Sequence, residues 1–185
     1  ILDKALVLNN NMISFEHGGF VLLGFHLLFL LVILLDQSTK YFVQRFLPLN
    51  GGITVLPGVL SLTYINNPGA AFGILPYKTV LLVVLTFLLF FLVFLFRNRI
   101  PRQPSFLRWG LALGLGGATG NLIDRLRFGS VIDFIDLRFW PMKNFPIFNI
   151  ADSGVVIGGF LLVYVSLRAP ATDDEPDEVE AIDSA

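Results

Sequence analysis

The chain has 185 residues, enough for one ordinary domain, yet 55% are hydrophobic and only 15% charged, where a soluble domain carries about 25% charge. With a mean hydropathy of +0.74 and 19 phenylalanines, this balance argues against a soluble enzyme and for an integral membrane protein. Zero cysteines exclude disulfides and thiolate chemistry, two histidines poorly supply a metal site or a catalytic triad, and the net charge of −1 hides a basic body whose balancing acids sit in the tail.

Residues 1–18 carry no assignable signal and stand as a separate N-terminal segment. Crossing about 30 Å of hydrocarbon takes about 17–25 helical residues. Residues 19–35 form the first such span, with His26 its only titratable group. No small-residue cleavage site follows, so the span does not read as a removed signal peptide. At about 50–66, β-branched residues flank Pro57-Gly58, and Leu60, Leu62 and Tyr64 alternate with Ser61 and Thr63. That pattern predicts a small hairpin lying on the outer membrane surface.

The second span, 79–96, contains neither a charge nor a glycine. The loop after it holds Arg97, Arg99 and Arg102, with Arg108 just beyond and no acid, so it is expected on the cytoplasmic side with both termini. The third span, about 106–123, contains Arg108 and five glycines; small residues at this spacing let helices approach closely in lipid. The 124–146 connection then lies outside. The fourth span, 147–167, has Asp152 as its only charge, with Gly154 and Gly158 reading as further packing positions. Residues 169–185 hold seven of the 14 acids and two prolines, the composition of a disordered appendage.

This topology gathers Asp36, Asp124, Asp133, Asp136 and Asp152 on the outer side. Asp152 is expected about 7–8 Å below the start of the fourth helix, a costly depth for a carboxylate. Asn149 and Asn121 precede Asp152 and Asp124 by three residues, which puts each pair on one helix face. Apolar neighbours around Asp133 would raise its pKa, as a general acid or a shared-proton pair requires. More ordinary roles stand beside these: a helix cap or an ion pair with Lys40 for Asp36, an ion pair with Arg125 for Asp124, and one with Arg138 for Asp136.

Five ordered blocks carry a resemblance. They are Asp36-Gln37-Ser38-Thr39-Lys40; Asn67-Pro68-Gly69-Ala70-Ala71-Phe72-Gly73; Gly116-Gly117-Ala118-Thr119-Gly120-Asn121-Leu122-Ile123-Asp124-Arg125; Val131-Ile132-Asp133-Phe134; and Phe148-Asn149-Ile150-Ala151-Asp152-Ser153. Over residues 20–168 the chain resembles lipoprotein signal peptidase, or signal peptidase II, an aspartic peptidase of the bacterial inner membrane. The resemblance implies an all-α membrane fold, with four transmembrane helices in a peptidase domain spanning 19–168 and a β-cradle at about 50–66. It makes Asp133 and Asp152 the catalytic pair. Asp36, Lys40, Asn67, Gly69, Asn121, Asp124, Arg125 and Asn149 become substrate-binding or supporting residues. It also implies diacylglyceryl-prolipoprotein substrates, contact with membrane lipid, inhibition by globomycin, a monomer, and no cofactor, metal or nucleic acid. Three rival readings remain, one of them a non-enzymatic membrane subunit, in which the polar outer cluster would have no purpose. Buried acids also mark ion- or proton-coupled transporters, although here they cluster at one face without an internal repeat. Ser38 or Ser153 with Lys40 would make a Ser-Lys peptidase.

Overall fold

The computed structural model describes residues 2–69, 75–100 and 105–168, with the backbone alone for 2–22 and 105. The acidic tail, Arg102 and the Ala70–Gly73 part of the second block lie outside the described residues. Among the described residues, four α-helices and one three-stranded sheet make up the fold, with short 3-10 turns at Arg97–Arg99 and Met142–Asn144: α1 (Leu2–Phe46), β1 (Gly52–Leu56), β2 (Leu60–Asn67), α2 (Thr79–Phe96), α3 (Ser105–Phe128), β3 (Val131–Leu137) and α4 (Ile150–Arg168). Segments Leu23–Phe46, Thr79–Arg99 and Ile150–Arg168 are long and apolar enough to cross a membrane. At 24 residues α3 is as long, but its glycines and polar side chains lower its apolarity. It is the central helix, packed most closely on α4, then on α1 and more lightly on α2.

Helix α2 coincides with the predicted second span because nothing in its 18 residues interrupts the apolar run. The other spans have different ends. Helix α1 runs from Leu2, through the unassigned N-terminal segment, past residue 35 to Phe46. Hydropathy falls at Asp36, but 36–46 contains no glycine or proline, and Asp36 and Lys40 are paired inside the protein. Helix α3 continues through Asp124 to Phe128 and stops before Gly129, whose φ of 72° places it in the left-handed region that ends helices. Helix α4 begins at Ile150, so Asp152 sits in its first turn and shallower than expected.

The predicted hairpin is present as β1 and β2, turning at Pro57-Gly58, with Gly58 at φ 72°. The sheet has a third strand that periodicity did not signal. Strand β3 pairs antiparallel with β2, with a register shift between Leu62 and Ile65. Val131, Ile132, Asp133 and Phe134 are consecutively buried, so the strand lacks the alternation of a one-sided sheet. Val43, Ile132 and Phe134 form a small core that joins this sheet to α1, with Ile150 of α4 packed against it.

Glycines set the helix spacing. A Cβ on Gly158 would lie 2.6 Å from the carbonyl oxygen of Gly110 and 2.7 Å from the nitrogen of Gly114, both backbone atoms of α3. Gly116 similarly faces the Phe29 carbonyl and Val32 of α1. Gly159, one residue on, has nothing within 4 Å. Gly158→Ala is therefore expected to destabilise the protein by about 1–3 kcal/mol through forced separation of α3 and α4. Gly159→Ala should be neutral or slightly stabilising. Thermal unfolding of the two variants in one detergent checks the contrast.

Candidate active site

The site is built around Lys40. Its side chain, with those of Asp36 and Asp124, is almost wholly buried. The ammonium Nζ lies 2.8 Å from Asp36 Oδ2 and 2.7 Å from Asp124 Oδ2, and donates to Asn121 Oδ1 at 3.0 Å. Three donors meet three acceptors, so the cation is fully satisfied. The carboxylates reach further. Asp36 Oδ1 accepts the Ala151 N–H at 2.9 Å, in the first turn of α4, where the helix dipole favours a negative charge. Asp124 Oδ2 accepts the Ile132 N–H at 3.1 Å, which ties in β3. Gln37 Nε2 donates to Asp124 Oδ1 at 2.9 Å and to the Gly120 carbonyl at 3.2 Å.

Beside this cluster, α4 starts with a reciprocal cap. Asn149 Oδ1 accepts the Asp152 N–H at 2.8 Å, and Asp152 Oδ2 accepts the Asn149 N–H at 3.2 Å. This is a capping box with aspartate in place of glutamate. Asp152 Oδ1 accepts from Asn121 Nδ2 at 2.8 Å. Asn149 Nδ2 donates to Asp133 Oδ1 at 2.7 Å, and Asn67 Nδ2 donates to Asp133 Oδ2 at 2.9 Å. One asparagine, Asn149, thus touches both carboxylates. Burial, and then the nearby charge of Asp152, push the Asp133 carboxyl up to about 7, against a weaker downward pull from the two amides and Lys40. Asn67 Oδ1 accepts the Gly69 N–H at 2.9 Å, and Arg125 Nη2 donates to the Gly69 carbonyl at 3.0 Å.

All ten residues singled out from the sequence converge here, although several take partners that spacing did not predict. Asp124 pairs with Lys40 and not with Arg125, because adjacent helical residues point in different directions. The Asp36–Lys40 pair is at i,i+4 spacing and forms as expected. Asn149 is the cap of α4, not a residue on the same helix face as Asp152. Asp136 stands apart, in an ion pair with Arg138 and accepting from the Thr63 hydroxyl at 2.8 Å. Gln37 also joins the cluster, and its position between Asp36 and Lys40 in the first block is the signal the sequence offers for it. The N–H groups of Ala151 and Ile132 carry no sequence signal. Lys40 is fully committed, and the Ser153 hydroxyl donates to the Asn149 carbonyl at 3.1 Å, so no Ser-Lys dyad forms with Ser153.

Asp133, Asp152 and Asn67 open onto a cavity of about 290 Å³ between β3, the 142–148 segment and α4. Its remaining wall is mainly apolar, with Leu137, Met142, Phe145 and Ile157 among the lining residues. Such a site fits an apolar chain with a polar bond at its end. The carboxylates thus lie at one end of the helix bundle, unlike the acids of a midplane ion pathway.

The family described as Signal peptidase (SPase) II matches residues 28–168. The lipoprotein signal peptidase of Pelotomaculum thermopropionicum is 48% identical over 139 residues, covering 74% of this chain and 87% of that protein. That of Moorella thermoacetica is 45% identical over 147 residues, covering 80% and 94%. A solved structure described as a bacterial membrane enzyme aligns with a TM-score of 0.74 at 33% identity, covering 85% of this chain and 94% of that one. The family match takes in α1 from residue 28, together with α3, α4 and the sheet that carry the site, and the chain belongs to the signal peptidase II family of membrane-embedded bacterial peptidases.

Proposed function

We propose that the chain is an aspartic endopeptidase that removes the signal peptide from diacylglyceryl-modified prolipoproteins, with Asp133 and Asp152 as its catalytic pair. The observation that carries this reading is that both carboxylates open onto one apolar cavity while Asn149 holds them together. Asp133 retains the shared proton, in keeping with its raised pKa, and Asp152 is the charged partner. Asp152 takes a proton from water as the hydroxide attacks the scissile carbonyl carbon, and Asp133 gives its proton to the carbonyl oxygen. When the resulting diol collapses, the C–N bond breaks. The leaving nitrogen receives the proton held by Asp152, and Asp133 recovers one from the diol. No covalent intermediate or metal enters this sequence.

The other residues support the pair. Asn67 and Asn149 orient Asp133, and Asn121 orients Asp152. Asp36, Lys40 and Asp124 fix the elements that carry them, and Arg125 steadies Gly69 beside Asn67. Arg97, Arg99 and Arg102 favour the cytoplasmic side for their loop, which puts the termini inside and the pair at the outer leaflet. There a lipid-anchored substrate presents its bond, and globomycin would compete for the same cavity.

Folded, purified protein is expected to release the signal peptide from a diacylated prolipoprotein; no release from a verified substrate would refute the assignment. Asp133→Asn and Asp152→Asn should each lower turnover per folded molecule at least about 10³-fold, because neither amide can exchange a proton as required. The double variant should be no worse than either single one. Substantial turnover by either single variant would displace it from the pair.

A pH dependence follows from Asp133. The native state holds a proton that the unfolded chain releases near 3.9. This contribution to stability is fully present below about pH 4, is lost as pH rises through about 7, and changes no further above it. The melting temperature should therefore lose a component over that window, and Asp133→Asn should lack that component. Identical pH profiles for the two proteins would contradict the protonated state assigned to Asp133.

A further inference from the structure

A second cavity, of about 310 Å³, lies between α1, α2 and α3 and runs toward the end of the bundle remote from the aspartates. Helix α2 has no buried residue. Its Thr79 hydroxyl, at the aspartate end, donates to the Gly129 carbonyl at 2.6 Å and ties it to α3 there. Toward the other end a groove opens, walled by Phe29, Phe90, Phe94 and Leu115. Thr119 also lines it, but its hydroxyl is turned back onto the Leu115 carbonyl at 2.7 Å. The walls therefore offer an apolar occupant no polar competition.

The mouth is cationic. Arg97 lines the groove, with its guanidinium 4.2 Å from the Phe94 ring centroid and Nη1 donating to the Phe94 carbonyl at 3.0 Å. Arg108 precedes Leu115 by seven residues on α3 and so lies on the same helix face. Arg108 is partly exposed and adds a second positive charge at this end of the bundle. Phe106 stacks edge-on with Trp109 and Tyr164 at this end, forming the aromatic belt that marks headgroup depth.

Two apolar occupants come to mind, the signal helix of the substrate and a phospholipid chain. Weighing the first rests on the peptidase reading above. A signal peptide carries a basic segment ahead of its apolar run, on the side away from the cleavage site, and would bring it against Arg97, Arg99 and Arg108. A lipid phosphate meets the same arginines with complementary charge. We infer that this groove holds an acyl chain of an anionic phospholipid, with its phosphate between Arg97 and Arg108, in the leaflet opposite the aspartate site.

The test is native mass spectrometry of the full chain in detergent, titrated with phosphatidylglycerol or with phosphatidylcholine of the same chains. Phosphatidylglycerol should bind at least about fivefold more tightly, the scale of one arginine contact at a membrane surface. Arg97→Gln with Arg108→Gln should bring the two lipids level. Leu115→Trp, which fills the groove, should weaken both, and the arginine comparison stands whether or not that variant folds. A synthetic signal peptide should leave phosphatidylglycerol bound. Equal affinities in the unaltered protein, a preference that survives in the double variant, or displacement by the signal peptide would each overturn the inference. No cleavage is read, so a failed peptidase assay would leave the lipid result intact.

Discussion

The structure turns on one ammonium group buried between two carboxylates. A charge taken out of water is costly unless every proton and lone pair around it is matched. Lys40 meets that demand with Asp36, Asp124 and Asn121, and the carboxylates meet theirs with Gln37 and with N–H groups of α4 and β3. The partners come from three helices and one strand, so leaving none unmatched fixes those four elements relative to one another. The aspartate pair inherits its geometry from this. Asn121 turns its oxygen to Lys40, which leaves its nitrogen for Asp152, and Asn149 closes the circuit to Asp133.

Short polar side chains can complete such a circuit only if the helix backbones approach closely. Gly117 packs against Ala151, and a Cβ on Gly120 would lie 2.5 Å from Asp36 Oδ2. The glycines of α3 thus serve the site as well as the packing: a larger residue at 120 would occupy the space of the carboxylate that holds Lys40. Burial, and then the neighbouring charge of Asp152, push the Asp133 carboxyl above the usual carboxylate range.

What was legible in the sequence divides along the same line. Apolar runs were readable because lipid imposes a length on them, and α2 matches its predicted limits residue for residue. The i,i+4 pair of Asp36 and Lys40 was readable from spacing. The extension of α1 was not, because hydropathy treats Asp36 and Lys40 as solvent-seeking when each neutralises the other in the interior. Strand β3 was hidden because burial on both faces erases alternation. The contacts that assemble the site join residues far apart in sequence, 81 positions for Lys40 with Asn121 and 115 for Asp36 with Ala151, and no local pattern encodes them. The ordered motif blocks supplied the membership of the site, and the structure supplied its wiring. Asp124 makes the difference plain: its sequence neighbour Arg125 reaches instead to Gly69.

The most direct test of this account is the thermal stability of Lys40→Met, alone and combined with Asp36→Asn and Asp124→Asn. Alone, the substitution leaves two buried carboxylates without their cation and should cost about 3–5 kcal/mol. Neutralising both carboxylates as well should recover much of that loss, because no uncompensated charge then remains. A Lys40→Met protein as stable as the unaltered chain, or a triple variant less stable than the single one, would contradict the claim that this buried ion cluster organises the fold and the site.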